Sequence, residues 1–513
     1  MQRQSAGIRF RGLPGFSKLF VDWIEGSYAV RDFIPFRPEI AALRERAHDL
    51  QDGSFLRSKI HRLLMFQAES QNAGTLALKN IKRLLLADSV VVLASIAPAF
   101  AGGPLELLLK CFTTAKLAVE LECIGIPAIP LCWLNHDAER QQASTSVTML
   151  DQEARPYKLD SVASGEGYDW LIQDTIEECY RRMESSLGLS AGDTVLQELK
   201  RAYAPGTPFS LASARFISSL VREWGIVLLD PRSSEFGPIA LHRLERPPFS
   251  AENAADLVAS QERLLRKAGY MPATYPDHGP VSDPRENPPR GNPDLPASCS
   301  KALSSGPMAL LMLEAALPVA GHVVDSCEIE GYAVTQPLFK NHGLRPPMIW
   351  PRASATIFDS RSLKTLQKYG ISLAELISDK SKVLRNLTRS GSSQEVLSRF
   401  EELDKLITER LAQIGTAAAS EASVKELAHD ARSRMLFQLG KLRERYEAAV
   451  ALRQEVIARH LERASGVLAP EGRLQEGVIA GLHFILHNSS DFSRALYDNL
   501  DIQALEHQLI SAG

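Results

Sequence analysis

The chain has 513 residues, is 45% apolar and 23% charged, and carries a formal net charge of −3. That length exceeds one ordinary core and predicts two or three domains, while the charge balance excludes a bulk drive toward nucleic acid or an anionic membrane. Met1–Pro14 is polar and Arg-bearing, without the apolar run of a secretion signal, and the longest apolar stretch, Ser89–Phe100, is too short and too broken by proline to span a bilayer.

In chain order, Phe16–Trp23 and Pro38–Leu50 read as short helices docked on a core, the second with Pro at its first position, where a missing N–H costs little. Ser54–Leu86 keeps helical periodicity, with a break at Gly74. Ser89-Val-Val-Val-Leu-Ala-Ser95 is then β-branched and nearly all apolar, as a strand buried on both faces requires. Gly102-Gly103-Pro104 breaks the chain. Leu105–Leu121 follows as a helix with Leu105, Leu108, Leu109, Phe112, Lys116 and Val119 toward one side, and Ile126–Leu134 is a second apolar strand. Strand, helix, strand is a βαβ unit and predicts a parallel sheet.

Residues 145–220 read as mostly helical with polar breaks, and Trp224–Asp230 as a further buried strand. The helix Ala251–Lys267 follows. Tyr270–Ser300, rich in Pro, Asp, Asn and Gly, reads as a linker or an ordered loop. Met308–Leu317 (helix), Pro318–Val324 (strand), Ile329–Asn341 (helix, interrupted at Pro337) and Pro347–Trp350 (strand) make a second strand–helix–strand unit, compatible with a doubly wound sheet.

After Arg352 the strands stop. Val396, Phe400, Leu403, Ile407, Leu411 and Ile414 step by four or three, and Met435, Leu439, Leu442, Tyr446, Ala449 and Val456 continue, with charges between them. Two long helices folded into an antiparallel hairpin fit this, either as a dimer-forming coiled coil or as two long surface helices. The fold class is thus α/β: a Rossmann-like doubly wound parallel sheet with a helical insertion, then an α-helical coiled-coil domain. The expected divisions are 1–145 (first half of the core, with N-terminal helices), 146–220 (helical insertion), 221–269 (core continuation), 270–300 (linker), 301–352 (second half of the core) and 353–513 (coiled-coil domain).

Six cysteines (Cys111, Cys123, Cys132, Cys179, Cys299, Cys327) include no CxxC pair, so neither a metal site nor a disulfide framework is expected, and a reducing cytoplasm is. There is no GxxxxGK[ST] phosphate loop and no GxGxxG. His322 and Cys327 are weak evidence for a metal pair, and Cys327 as a nucleophile would need His322 as its base. Lys441-Leu-Arg-Glu-Arg445 reads as a solvated helix face.

Short segments in a fixed order carry a resemblance: Gly102-Gly103-Pro104-Leu105, Ile129-Pro130-Leu-Cys-Trp133, Lys267-Ala268-Gly269-Tyr270, Leu317-Pro318, Glu328-Ile329, Pro346-Pro347-Met348 with Pro351-Arg352, and Gly472-Arg473-Leu474-Gln475-Glu476 within Leu468–Ala480. Over nearly its whole length the chain resembles the bacterial bacillithiol biosynthesis cysteine-adding enzyme family. That resemblance implies a nucleotidyl-transferase-like Rossmann core followed by a coiled coil that commonly supports a homodimer. It also implies a ligase joining the carboxyl group of L-cysteine to the amino group of glucosaminyl-malate, with ATP as an expected cofactor.

The family's site motifs are altered here. Its Gly-Gln-Gln turn after the first core strand corresponds to Ser95-Ile96-Ala97, with Ala99 where a further Gly is usual. Its Glu-Asp-His-Asp cluster falls on Leu134-Asn135-His136-Asp137-Ala138-Glu139-Arg140, where two registers are open: ungapped, the His position is Glu139 and the last Asp is Arg140; with a short deletion, His136-Asp137 restores the pair. Gly-Pro-Gly-Glu appears as Asp325-Ser326-Cys327-Glu328, and a family Arg aligns with Ala309. The resemblance implies catalytic roles for His136 or Asp137 (acid/base) and Glu328 (to the substrate amine). It implies substrate binding by Gly102, Gly103 (its amide to an anion), Pro104 and Arg352. Against this stands a repurposed relative that keeps the frame as a binding or dimer scaffold; a ligase for a different amine is a third reading.

Overall fold

The structure, a computed structural model, describes residues 7–50, 54–136, 144–160, 162–165, 170–188, 193–244, 251–271, 306–388, 392–417, 422–488 and 491–511. Its strands are β1 (Val90–Ile96), β2 (Ala128–Leu134), β3 (Val147–Leu150), β4 (Pro156–Leu159), β5 (Ala163–Ser164), β6 (Leu171–Ile172), β7 (Val227–Leu229), β8 (Val319–Val324), β9 (Ile349–Pro351), β10 (Ser354–Phe358) and β11 (His507–Ser511). The chain forms two compact units, residues 1–359 with 473–513, and residues 360–472.

In the first unit β7, β2, β1, β8 and β9 lie in that order, all parallel. β1 and β2 pair from Val90 opposite Ala128 to Ile96 opposite Leu134. Successive residues of both strands are buried, Ser95 apart, so both sheet faces are covered and the sequence shows apolar runs instead of alternation. The path runs outward from β1 to β2 and β7, then returns to β8 and β9 on the other side. This is the Rossmann-like doubly wound architecture. Its topological switch point lies at the carboxyl ends of β1 and β8, where open α/β sheets bind ligands.

The helix Leu105–Cys123 is enclosed more widely than one stripe. Lys110, Cys111, Thr113 and Leu117 are buried along with Leu105, Leu108, Leu109 and Phe112, whereas Val119 is exposed. The sheet, β10 and the segment 475–488 all pack on it, and a helix covered on several sides is apolar nearly all round.

Three expectations are corrected. Residues 145–220 open with two antiparallel pairs, β3–β4 and β5–β6, and turn helical only at Ile176; strands this short hold too few positions for alternation to register. The helix Ile329–Asn341 continues through Pro337. The ring removes the N–H that would pair with Ala333 O, and Gln261 Nε2 donates to that carbonyl at 3.4 Å. Strands do not stop at Arg352: β10 pairs in parallel with β11, Ser354 opposite His507 through Phe358 opposite Ser511. Residues 473–511 therefore belong to the first unit.

The second unit holds the helices Ser360–Tyr369, Leu373–Thr388, Ser392–Ala417 and Ala422–Leu468. The last two form the expected antiparallel hairpin, with the Phe400 and Tyr446 rings 6.0 Å apart and Gly415 against Ala428. Leu403, Ile414, Met435 and Leu442 of the predicted seam stay 44, 51, 53 and 58% exposed, so the hairpin does not enclose its own apolar stripe. Residues 272–300 of the expected linker lie outside the described residues. Among the described residues no helix is long and apolar enough to cross a membrane.

Candidate functional site

After β1 the chain turns through Ala99–Pro104. Ala101, Gly102 and Gly103 take φ values of +53°, +78° and +70°. A Cβ on Gly102 would stand 2.9 Å from Leu220 Cδ1, and one on Gly103 2.9 Å from Ala99 Cβ, so the turn's own packing demands both glycines. Its polar groups are spent internally. Gly103 N–H donates to Phe100 O at 2.9 Å. Tyr203 Oη donates to Ala99 O at 2.6 Å, with the Ala101 and Gly102 amides bearing on the phenol. Ser213 Oγ accepts from Ala99 N–H at 2.9 Å. Burial pushes the Tyr203 phenol up, keeping it neutral.

The anion contact expected of the Gly103 amide therefore does not fit this turn, because that N–H is already given to Phe100 O. Gly103 and Pro104 instead anchor the C-terminal segment: Gly481 N–H donates to Gly103 O at 3.1 Å, Leu105 N–H to Ile479 O at 2.8 Å, and Pro104 bridges Ala480. Tyr203→Phe removes the shorter of two hydrogen bonds to Ala99 O, leaving that from Ser213 Oγ at 3.2 Å, and should cost about 0.5–1.5 kcal/mol in urea unfolding. A loss near zero would mean that water replaces the hydroxyl.

Charged residues gather at the switch point. Asp325 and Glu328 follow β8, Arg352 follows β9, Glu106 and Lys110 lie in the first turns of the Leu105 helix, and Glu476 comes from the C-terminal segment. Lys110 Nζ is 2.8 Å from Asp325 Oδ2 and 2.6 Å from Glu328 Oε2. Arg352 pairs through Nε with Asp325 Oδ1 and through Nη2 with Glu476 Oε1 at 3.0 Å, with Glu106 Oε2 3.8 Å from the same nitrogen. Glu328 Oε2 also accepts Asp325 N–H at 2.7 Å.

Burial lifts the Asp325 carboxyl, but the Lys110 and Arg352 charges outweigh it and hold it at about 2. Burial likewise opposes the Lys110 ammonium, and Asp325 and Glu328 overcome that, keeping it charged. Glu106 goes the other way: burial and the Asp325 charge push it up to about 7, against the helix-terminus field, which favours the anion. Its side chain is 42% exposed, so solvent screens part of the burial effect and the Asp325 charge is the firmer cause.

The Gln475-Glu476 pair explains the C-terminal motif. Gln475 Oε1 accepts Ile357 N–H and its Nε2 donates to Ile357 O, both at 2.7 Å. Glu476 accepts from Ser354 Oγ at 2.7 Å and from Ala355 N–H at 2.6 Å. Together they close the edge of β10 that β11 leaves free and deliver a carboxylate to Arg352.

His136 stands two residues beyond β2, and its Nε2 is 3.4 Å from Asp230 Oδ1, just after β7. Arg232 Nη2 reaches Asp230 Oδ2 at 2.8 Å and Ser210 Oγ at 3.1 Å, while Gln67 brackets the Asp230 backbone at 2.8 and 2.9 Å. Burial lifts the Asp230 carboxyl, but His136 and Arg232 outweigh it and leave it well below the usual range. Asp137, Glu139 and Arg140 lie outside the described residues.

The structure thus joins Glu328 and Arg352 through Asp325, and places His136 on the β2–β7 side. His322 is committed to Glu314 Oε1 at 2.8 Å and Tyr332 Oη at 2.9 Å, not to a metal or to Cys327. Sequence reasoning did not single out Glu106, Lys110 or Asp230. For Lys110 a signal existed: a lone cation inside Leu107-Leu-Leu-Lys-Cys-Phe112 has to face inward with its neighbours.

The family description "Bacillithiol biosynthesis BshC, N-terminal Rossmann-like domain" matches residues 5–279, and "Bacillithiol biosynthesis BshC, C-terminal coiled-coil domain" matches residues 355–512. Among similar proteins, one from Koribacter versatilis is 24% identical over 95% of this chain and 96% of its own length. One from Solibacter usitatus is 23% identical over 98% and 99%, and one from Salinibacter ruber 24% over 95% and 94%. All three bear the name "Putative cysteine ligase BshC".

Proposed function

Because the chain belongs to the bacillithiol biosynthesis BshC family, we propose that it is a cysteine ligase, joining the carboxyl group of L-cysteine to the amino group of glucosaminyl-malate. The observation that carries this reading is the cluster at the switch point. Four carboxylates (Glu106, Asp325, Glu328, Glu476) meet two cations (Lys110, Arg352), and the negative excess suits a substrate ammonium. Glu328 receives the amine. Arg352, buried and paired, acts through Asp325 and Glu476, and Gly102, Gly103 and Pro104 shape the wall. His136, oriented by Asp230, serves as acid/base, with Asp137 beside it in sequence.

Joining a free carboxylate to an amine runs uphill in water, so the carboxyl must be activated, and ATP is the proposed activator. The apolar residues left exposed on the hairpin support a homodimer, and the free thiols Cys111 and Cys132, 3.9 Å apart, suit a reducing cytoplasm.

The test is incubation with glucosaminyl-malate, L-cysteine and ATP, with mass spectrometry for the cysteine adduct and light scattering for the dimer mass. Product that disappears in His136→Ala/Glu328→Ala is expected. A folded dimer that makes none would favour a repurposed scaffold. One observation already favours that reading: the Gly103 amide and both cations are satisfied internally.

A further inference from the structure

We propose that Glu106 is the proton acceptor for the amine substrate: its carboxylate takes one proton from the acceptor's ammonium and leaves the neutral amine, whose lone pair can attack. This deepens the ligase reading and rests on it.

The carboxylates of the cluster differ in what holds them. Asp325, Glu328 and Glu476 are each fixed by charge-assisted hydrogen bonds of 2.6 to 3.0 Å. Among the described residues Glu106 has only Arg352 Nη2 at 3.8 Å, beyond hydrogen-bond reach. An anion that accepts few hydrogen bonds is poorly stabilised and holds a proton more tightly. Glu106 is also the most exposed of the four, so it is the most open to a soluble substrate.

Its position is set by the fold. Pro104 precedes the helix, Glu106 falls in the first turn, and Gly477 faces it: a Cβ there would sit 3.4 Å from Glu106 Oε2. The groups bearing on it are Lys110 on its own helix, Asp325 after β8, Arg352 after β9 and Glu476 from the C-terminal segment. Burial and the two acids raise its proton affinity, and the two cations lower it. The result, about 7, is matched to neutral pH, where a general base works best.

The step balances without a further reactant. R–NH3+ and carboxylate become R–NH2 and carboxylic acid, and the proton later leaves to water through the exposed side. Uptake of the proton removes one negative charge from a cluster that carries an excess of two.

The test is Glu106→Gln, which keeps size and removes basicity. At pH 7 kcat should fall by about 10²–10⁴-fold with a smaller change in KM for glucosaminyl-malate. The defect should shrink as pH rises and the amine deprotonates itself, and the acid limb of the wild-type profile near 7 should vanish. Equal kcat with an unchanged profile would overturn the proposal while leaving the ligase reading intact.

A second readout does not need turnover: carbon-13 NMR of glutamate-labelled protein should show one carboxyl titrating near 7 that is missing in Glu106→Gln and shifts when glucosaminyl-malate is added. If wild type makes no product, the ligase reading fails and this titration decides. A carboxyl that ignores glucosaminyl-malate overturns the proposal, and one that responds retains it.

Discussion

Arg352→Met should destabilise the protein by about 3–5 kcal/mol, seen as a lower urea midpoint at nearly unchanged slope. The guanidinium is buried and pairs with Asp325 and Glu476, and its Nη1 donates to Ala353 O at 3.0 Å. Methionine fills similar space but leaves Glu476, which is 3% exposed, and the partly buried Asp325 without their guanidinium partner. The deficit should depend on pH with a definite sign. The folded-state pKa of Asp325, about 2, lies below its ordinary value of 3.8, so its paired form contributes stability that is present above roughly pH 4 and lost as pH falls toward 2. The gap between wild type and variant should therefore be widest above pH 4 and narrow toward pH 2. A uniform loss below about 1 kcal/mol would show that water reaches the cluster and screens it. Trp350, buried two residues away, provides a fluorescence signal for the transition.

Gln475→Leu should cost about 2–6 kcal/mol, because one side chain serves two buried backbone groups and each left unsatisfied costs about 1–3 kcal/mol. Gln475 treats Ile357 as a neighbouring strand would, accepting its N–H and donating to its carbonyl. Leucine offers neither. The Ile357 amide should also exchange with solvent much faster, a local readout that a general loss of packing would not single out. Stability within about 0.5 kcal/mol of wild type would mean that the segment after Arg473 is held by its apolar contacts alone. Both results bear on function, since Gln475 brings Glu476 to Arg352, and Arg352 orders the carboxylates around Glu106.

How much of this was legible beforehand varies by element. β1 and β2 were readable because a strand covered on both faces is apolar at every position, a signal carried within seven residues. The hairpin was readable because its seam repeats over many turns. β10 and β11 were not: Ser354-Ala-Thr-Ile-Phe358 and His507-Gln-Leu-Ile-Ser511 are five residues each, hold buried polar groups, and meet across 153 positions. Their polar residues are tolerated because His507 satisfies Ser354 and Thr356 at 2.7 and 2.9 Å, a pairing that exists only once the chain has returned. The glycine turn misled in a different way. Gly102-Gly103 suggested close approach of a ligand, whereas the close approach is to Leu220 and Ala99, with Tyr203 arriving from elsewhere in the chain to donate to Ala99 O.

By itself the sequence determined the element types, the parallel sheet, the long hairpin and the family, all of which rest on periodicity or on short ordered segments. Only the tertiary structure decided the site. Its six charged groups come from positions 106 to 476, and the same residue type ends as a counter-ion in Glu476 and as an unheld base in Glu106. That difference depends on distance to other charges and on exclusion of water, quantities that residue type does not contain.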